Sequence, residues 1–146
     1  MTRRTPPGAD RSSSAAFGPH FHTLLAAVLL VAHIQLAIRF KTKQYGTDWN
    51  IGARDAEMPP LNPVAARLER ARDNFLETLP IAVIALFGVL LAGKASALTA
   101  ICGWVWLAGR MVYLPLYWSG VKGWRTAVWS VATLAILVVL GVLLFG

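Results

Sequence analysis

Long apolar blocks alternate with short polar segments along the chain. Four blocks are long enough to cross a membrane as helices, and we predict these helices at residues 21–40, 64–92, 95–116 and 125–145. A helix of about 20 residues rises about 30 Å, which is the thickness of the hydrocarbon core of a bilayer. The pattern therefore predicts an all-α integral membrane protein, built as a bundle of four transmembrane helices.

The segments outside these blocks suggest how the chain is divided. Residues 1–20 are rich in proline, serine, glycine and arginine, a composition typical of a disordered tail. Residues 44–63 contain glycines and prolines that break regular elements, and this predicts a loop. We therefore expect a disordered N-terminal tail followed by one four-helix membrane domain over residues 21–146.

Composition narrows the class of protein. Charged residues make up 14% of the chain and apolar residues 56%, whereas a soluble domain is about one-quarter charged. The net charge of +7 fits basic membrane loops better than nucleic-acid binding, because the chain has no exposed basic domain. The single cysteine excludes an intrachain disulfide, and the histidines do not share a face. We therefore predict no metal site.

The distribution of basic residues predicts the orientation of the bundle. Four spans place both termini on one side, which carries four basic residues: Arg3, Arg4, Arg11 and Lys94. The opposite side carries ten: Arg39, Lys41, Lys43, Arg54, Arg67, Arg70, Arg72, Arg110, Lys122 and Arg125. Since the richer side faces the cytoplasm, we expect a multi-pass protein of the bacterial inner membrane, with both termini on the non-cytoplasmic side.

Polar residues form stripes at this cytoplasmic end. On the second predicted helix, four of them fall within an arc of about 80°: Arg67, Arg70, Asn74 and Glu77. The third helix carries a stripe at spacings of three and four residues: Arg110, Tyr113 and Tyr117. Arg125 opens the fourth helix at the same end. The sequence therefore predicts a polar cluster shared by three helices.

Ionisable groups at bilayer depth are costly, so this cluster indicates either a ligand site or a structural device. One interpretation is an ion pair between Glu77 and Arg110 that holds two helices together. The other is a binding site, which the surplus arginines, the amide and the phenols favour. Arginine binds carboxylates through two parallel hydrogen bonds, and Glu77 could accept from an ammonium group. A small zwitterionic peptide with two carboxylates matches these groups.

Two segments carry a family resemblance. The sequence RLERARDNFLETLP (Arg67–Pro80), followed one helix later by GRMVYLPLYWSGVKGWRT (Gly109–Thr126), resembles the MAPEG family, the membrane-associated proteins in eicosanoid and glutathione metabolism. The resemblance extends from about Gln35 to the C-terminus. It implies a four-helix protein that assembles as a homotrimer, with glutathione bound between adjacent subunits near the cytosolic end.

The resemblance also implies roles for individual residues. The positions that match the family's glutathione contacts are Arg70, Asn74, Glu77, Tyr113 and Tyr117, to which we add Arg67 and Arg110 from the same two stripes. Arg125 matches an arginine credited with stabilising the glutathione thiolate, so Arg125 and Tyr117 are the candidate catalytic residues. Asp73 stands where some members have a basic residue, and an acid there would weaken the attraction for a carboxylate.

The function implied is a glutathione-dependent transferase or peroxidase. Its second substrate would be a lipophilic electrophile that enters from the bilayer, and it would need no metal. Because the family includes a member that presents lipid without catalysis, a non-enzymatic lipid-binding or regulatory protein of the same fold is the alternative. A purely structural bundle is the third possibility.

Overall fold

A computed structural model describes residues 21–121 and 123–146, so the predicted tail and Lys122 lie outside the described residues. The described chain forms five helices: α1 (Phe21–Tyr45), α2 (Thr47–Ile51), α3 (Pro63–Leu91), α4 (Ala97–Ser119) and α5 (Trp124–Phe145). Within it, α1, α3, α4 and α5 are long and apolar enough to cross a membrane. The predicted all-α bundle of four transmembrane helices is confirmed.

The connection between the first two spans differs from the predicted loop. Helix α1 continues to Tyr45 rather than ending at residue 40, and the short helix α2 follows directly. Gly46 separates the two helices with a φ of 92°, a conformation open to glycine but strained for other residues. The Tyr45 and Trp49 rings then meet edge to face, with their centroids 4.9 Å apart. Local ring packing therefore orders part of a segment whose composition suggested only a loop.

Capping residues explain where α3 and α4 begin. Asn62 precedes α3, and its Oδ1 accepts a hydrogen bond of 2.9 Å from the Ala65 amide, while Pro63 occupies the first turn, where its missing N–H costs nothing. Ser96 and Thr99 form a reciprocal capping box at the start of α4. These caps fix the ends of the two helices that supply most of the predicted site.

Small residues allow the helices to approach closely. A methyl group added to Gly109 of α4 would lie 2.8 Å from the Cβ of Ala132 on α5, so only glycine fits there. Phe75 and Trp106 are buried between α3 and α4, with ring centroids 6.0 Å apart. Many large apolar side chains point outward, as expected for a surface that faces lipid.

The ends of α1 and α4 and the beginnings of α3 and α5 lie at the same end of the bundle, which we call the polar end. Contacts across the helices demonstrate this arrangement. Lys41 near the end of α1 forms an ion pair with Glu69 of α3, and the Phe40 ring meets the Trp118 ring of α4 at 5.4 Å. The helix segments that carry the predicted cluster are therefore brought to the same end of the bundle.

Candidate functional site

Arg110 lies at the centre of the polar end. It sits near the middle of α4 and is only 1% exposed. One guanidinium nitrogen, Nη1, donates to Asn74 Oδ1 at 2.8 Å, and the other, Nη2, donates to Thr78 Oγ1 at 2.7 Å. Both acceptors belong to α3 and both are uncharged. The buried cation is therefore held by neutral oxygens, and no carboxylate pairs with it among residues 21–121 and 123–146.

This bond fixes the orientation of the Asn74 amide. A guanidinium group has donors only, so Asn74 must present its oxygen to Arg110. The amide nitrogen, which carries two N–H groups, then points to the other side of the side chain. The half-buried Asn74 can therefore offer hydrogen-bond donors to a ligand.

Two tyrosine rings lie in series between two arginines, from Arg110 towards the end of the bundle. The Arg110 guanidinium lies 5.6 Å from the centroid of the Tyr113 ring. Tyr113 contacts Tyr117 with ring centroids 4.8 Å apart, and the Arg125 guanidinium lies 4.7 Å from the Tyr117 centroid. Electrostatic attraction between a cation and a ring face favours each end of this series. We call these four residues the arginine–tyrosine ladder; it joins α4 to the first turn of α5.

Arg67 points to the end of α4. Its Nη2 donates to the main-chain oxygen of Trp118 at 3.2 Å. Gly120 ends α4 with a φ of 74°, and a methyl group added there would lie 3.1 Å from Arg67 Nη1. Because Gly120 has no side chain, the Arg67 guanidinium can reach the end of α4. This contact fixes α3 against α4 just beside the ladder.

Arg70 and Glu77 lie on the outer side of α3. Both are exposed, and neither forms a hydrogen bond or ion pair within the described part of the chain. On a helical wheel, Asn74 is about 20° from Arg67, whereas Arg70 and Glu77 are about 60° and 80° away. The predicted polar arc thus has an inner edge that packs against α4 and an outer edge whose side chains point away from the bundle. The Glu77–Arg110 ion pair considered above is not formed.

A second charged network occupies another face of α3. Glu69 accepts from Lys41 and from Arg72, and Arg72 also donates to Asp73 Oδ1 through Nη2 at 2.6 Å and through Nε at 2.8 Å. The charge of Asp73 is therefore balanced by its neighbour Arg72. This arrangement reduces the repulsion that an acid at this position would exert on a carboxylate ligand.

Two participants were not identified from the sequence. Thr78 accepts one of the two Arg110 hydrogen bonds, and its hydroxyl donates to the main-chain carbonyl oxygen of Asn74 at 2.9 Å. Phe75 packs beneath the Arg110 guanidinium at 5.9 Å. Thr78 follows Asn74 by four residues, which places both on one helix face. That spacing is the signal that could have found it.

The described residues contain no group of three histidine, cysteine, aspartate or glutamate side chains that could hold a metal ion. The predicted site residues at the polar end supply cations, phenols, an amide and the Glu77 carboxylate. Together these groups can bind a small anion, orient it and stabilise negative charge on it.

The fold agrees with a comparison to known families. The profile described as the MAPEG family matches residues 21–145, which include all four spans and every predicted site residue. Comparisons with curated proteins and with solved structures give no match. Because the matched region covers most of the chain, the protein belongs to the MAPEG family.

Proposed function

We propose that this protein is a membrane-bound glutathione-dependent transferase or peroxidase that acts on lipophilic electrophiles. The arginine–tyrosine ladder is the observation that carries the proposal. It places cations at both ends of two phenolic rings, one cation buried at bilayer depth and the other in the first turn of α5. Arg110 and Tyr113 are buried, whereas Tyr117 and Arg125 are partly exposed and would bind an anionic thiol peptide beside the bilayer.

The donors and acceptors at the polar end fit glutathione. That tripeptide carries two carboxylates, an ammonium group, amides and a thiol. Arg70 and the oriented Asn74 amide offer donors to the carboxylates, and Glu77 offers an acceptor to the ammonium group. Arg70 and Glu77 have opposite charges and no partner within the described residues of this subunit, so a zwitterion can satisfy both.

Arg125 and Tyr117 are proposed to act on the thiol. A cation beside a sulfur atom stabilises the thiolate, which is the nucleophilic form. In the transferase reaction with an aryl halide, the thiolate forms a bond to the electrophilic carbon. The halide leaves with the electrons of the broken bond, and the thiol proton passes to solvent. Tyr117, held against Arg125, would orient the sulfur.

An apolar groove beside Arg125 would admit the second substrate. It has a volume of about 410 Å³ and is lined by residues of α4 and α5: Val105, Ala108, Gly109, Val112, Trp124, Ala127, Val128 and Val131. The groove faces the region occupied by lipid and begins next to Arg125. A lipophile could therefore reach the proposed thiolate without crossing water. A non-enzymatic lipid-binding role would use the same groove and is the alternative.

The proposal includes assembly as a homotrimer with glutathione at the subunit boundary. The 29 residues of α3 exceed the about 20 that cross the hydrocarbon core, so Glu77 lies a few ångströms inside the core when α3 ends at the opposite surface. An exposed carboxylate at that depth is costly unless it is covered. A neighbouring subunit together with bound glutathione would cover it, in a bacterial inner membrane with the polar end towards the cytoplasm.

The test is an activity measurement on purified protein in detergent. We expect conjugation of glutathione to an activated aryl halide, with a kcat/KM that falls about 10²-fold in Arg125→Ala combined with Tyr117→Phe, as is typical when a charge-stabilising group is lost. Arg54→Ala, which removes a distant basic residue of the polar end, serves as the matched control. Unchanged activity in the double variant contradicts the assigned roles. Tight lipophile binding without turnover or glutathione binding supports the alternative.

A further inference from the structure

Three basic residues end α1, and the structure separates them into two groups. Lys41 points to α3 and is paired with Glu69. Arg39 and Lys43 are both exposed and form no hydrogen bond or ion pair within residues 21–121 and 123–146. Their two positive charges therefore lie close together with no acidic side chain to balance them. A surface with this excess attracts an anion.

Arg39 and Lys43 border the same groove. They are four residues apart on α1 and thus lie on one side of the helix. The groove has a volume of about 450 Å³ and is lined by Leu36, Arg39, Phe40, Lys43 and Trp118; we call it the basic groove. The edge-to-face contact between Phe40 and Trp118, at 5.4 Å and 79°, forms its wall. The basic groove therefore combines two cations with an apolar and aromatic surface.

The position of the basic groove identifies its environment. Arg39 and Lys43 follow immediately after the apolar part of α1, and Trp118 lies in the last turn of α4. Basic residues and tryptophan at the ends of transmembrane helices lie at the level of lipid headgroups. Leu36 lies one helical turn deeper than Arg39, towards the acyl chains. A ligand of the basic groove would meet charge at the headgroup level and apolar surface below it.

We propose that the basic groove is a binding site for an anionic phospholipid, with the phosphate between Arg39 and Lys43 and an acyl chain along Leu36 and Phe40. Charge complementarity favours this occupant, because a headgroup with a net negative charge balances both cations, whereas a zwitterionic headgroup does not. The apolar lining favours a lipid over a free phosphate. The basic groove shares no residue with the arginine–tyrosine ladder, so this proposal does not depend on the proposed function.

Native mass spectrometry of the full-length protein tests the site. The protein would be exchanged into detergent with equal amounts of phosphatidylglycerol and phosphatidylcholine, and the lipid retained per subunit would be measured. We expect phosphatidylglycerol to be retained about thirtyfold more, since each of the two basic residues near an anionic headgroup contributes on the order of 1 kcal/mol. Arg39→Gln with Lys43→Gln should abolish the preference, and Arg39→Lys with Lys43→Arg should preserve it.

Arg54→Gln with Lys94→Gln is the matched control, because it removes the same charge from positions outside the basic groove. Equal retention of the two lipids by the unaltered protein overturns the proposal, and so does an equal loss of preference in the control. Displacement of the lipid by millimolar glycerol phosphate would show a site for soluble anions and also overturn it. Disulfide formation between copies of Lys43→Cys would assign the basic groove to a subunit interface instead.

Discussion

The inner and outer edges of the polar arc on α3 differ in whether their polar side chains have hydrogen-bond partners within the described chain. At the inner edge, Asn74 and Thr78 receive hydrogen bonds from the buried Arg110. At the outer edge, Arg70 and Glu77 are exposed and have no partner within the described part of the chain. The inner edge thus finds most of its partners within the described residues, although Arg110 Nε is buried without one. Since polar groups at bilayer depth need partners, the proposed function supplies a ligand or a second copy for the outer edge.

This difference suggests a division of roles. Arg110 and Thr78 at the inner edge hold α3 against α4 and orient the Asn74 amide, so they affect the proposed ligand only by positioning Asn74. The Asn74 amide nitrogen and the residues of the outer edge are free to contact that ligand directly. Substitution of Arg110 should therefore change stability first, whereas substitutions of Asn74 and of the outer edge should change ligand affinity and leave the isolated fold intact.

The largest expected effect comes from Arg110→Met at the inner edge. This variant removes the donors to Asn74 Oδ1 and Thr78 Oγ1 and leaves buried acceptors with fewer partners, at about 1–3 kcal/mol for each unsatisfied group. We expect the thermal midpoint in detergent to fall by several degrees, as measured by intrinsic fluorescence. Arg54→Met is the control: its hydrogen bonds hold only the short exposed helix α2, so the midpoint should change much less than in Arg110→Met. An unaltered midpoint in Arg110→Met would show that Arg110 does not support the fold.

The next effect is expected at the outer edge. Arg70→Gln should leave the thermal midpoint within about a degree of the original, because an exposed side chain without partners contributes little to folding. Its affinity for glutathione should fall about tenfold or more, as expected for loss of a charged hydrogen bond. Titration calorimetry measures the affinity. A loss of stability without a change in affinity would reverse the roles assigned to the two edges.

A smaller and more selective effect is expected from Asn74→Asp. The carboxylate can still accept from Arg110, now as an ion pair, so stability should be maintained or increased. The variant loses the two amide donors that face the ligand and gains a negative charge beside its carboxylate. Glutathione affinity should therefore fall by up to about tenfold, a change that calorimetry resolves. Equal affinity would mean that the amide nitrogen does not contact the peptide.

Much of the fold could be predicted because the membrane imposes simple rules. Each span is a long apolar block, and a block of that length has no other stable form in lipid. The helix α2 was missed because it is short and its order depends on the Tyr45–Trp49 contact and the Arg54 hydrogen bonds to Asn50. Tertiary contacts of this kind leave no periodic pattern in a sequence.

The site was predictable as a set of residues but not as an arrangement. Helical spacing placed Arg67, Asn74, Arg70 and Glu77 on one arc, but the rotation of α3 against α4 decides which of them turn inward. That rotation depends on packing around Phe75 and Trp106, which periodicity does not specify. The spacing of Thr78 from Asn74 places both on one face, but only that rotation decides that Thr78 accepts a hydrogen bond from the buried arginine.

The most direct measurement is the thermal midpoint of the purified protein with increasing glutathione. A ligand that binds the folded state at a hundred times its Kd stabilises it by about 2.7 kcal/mol, so we predict a rise of about 5–10 °C in the midpoint. Ophthalmic acid, which replaces the thiol of glutathione by a methyl group, should give most of this rise because the same carboxylates and ammonium group are bound. A midpoint that stays constant up to millimolar glutathione would contradict the proposal that the polar end binds an anionic thiol peptide.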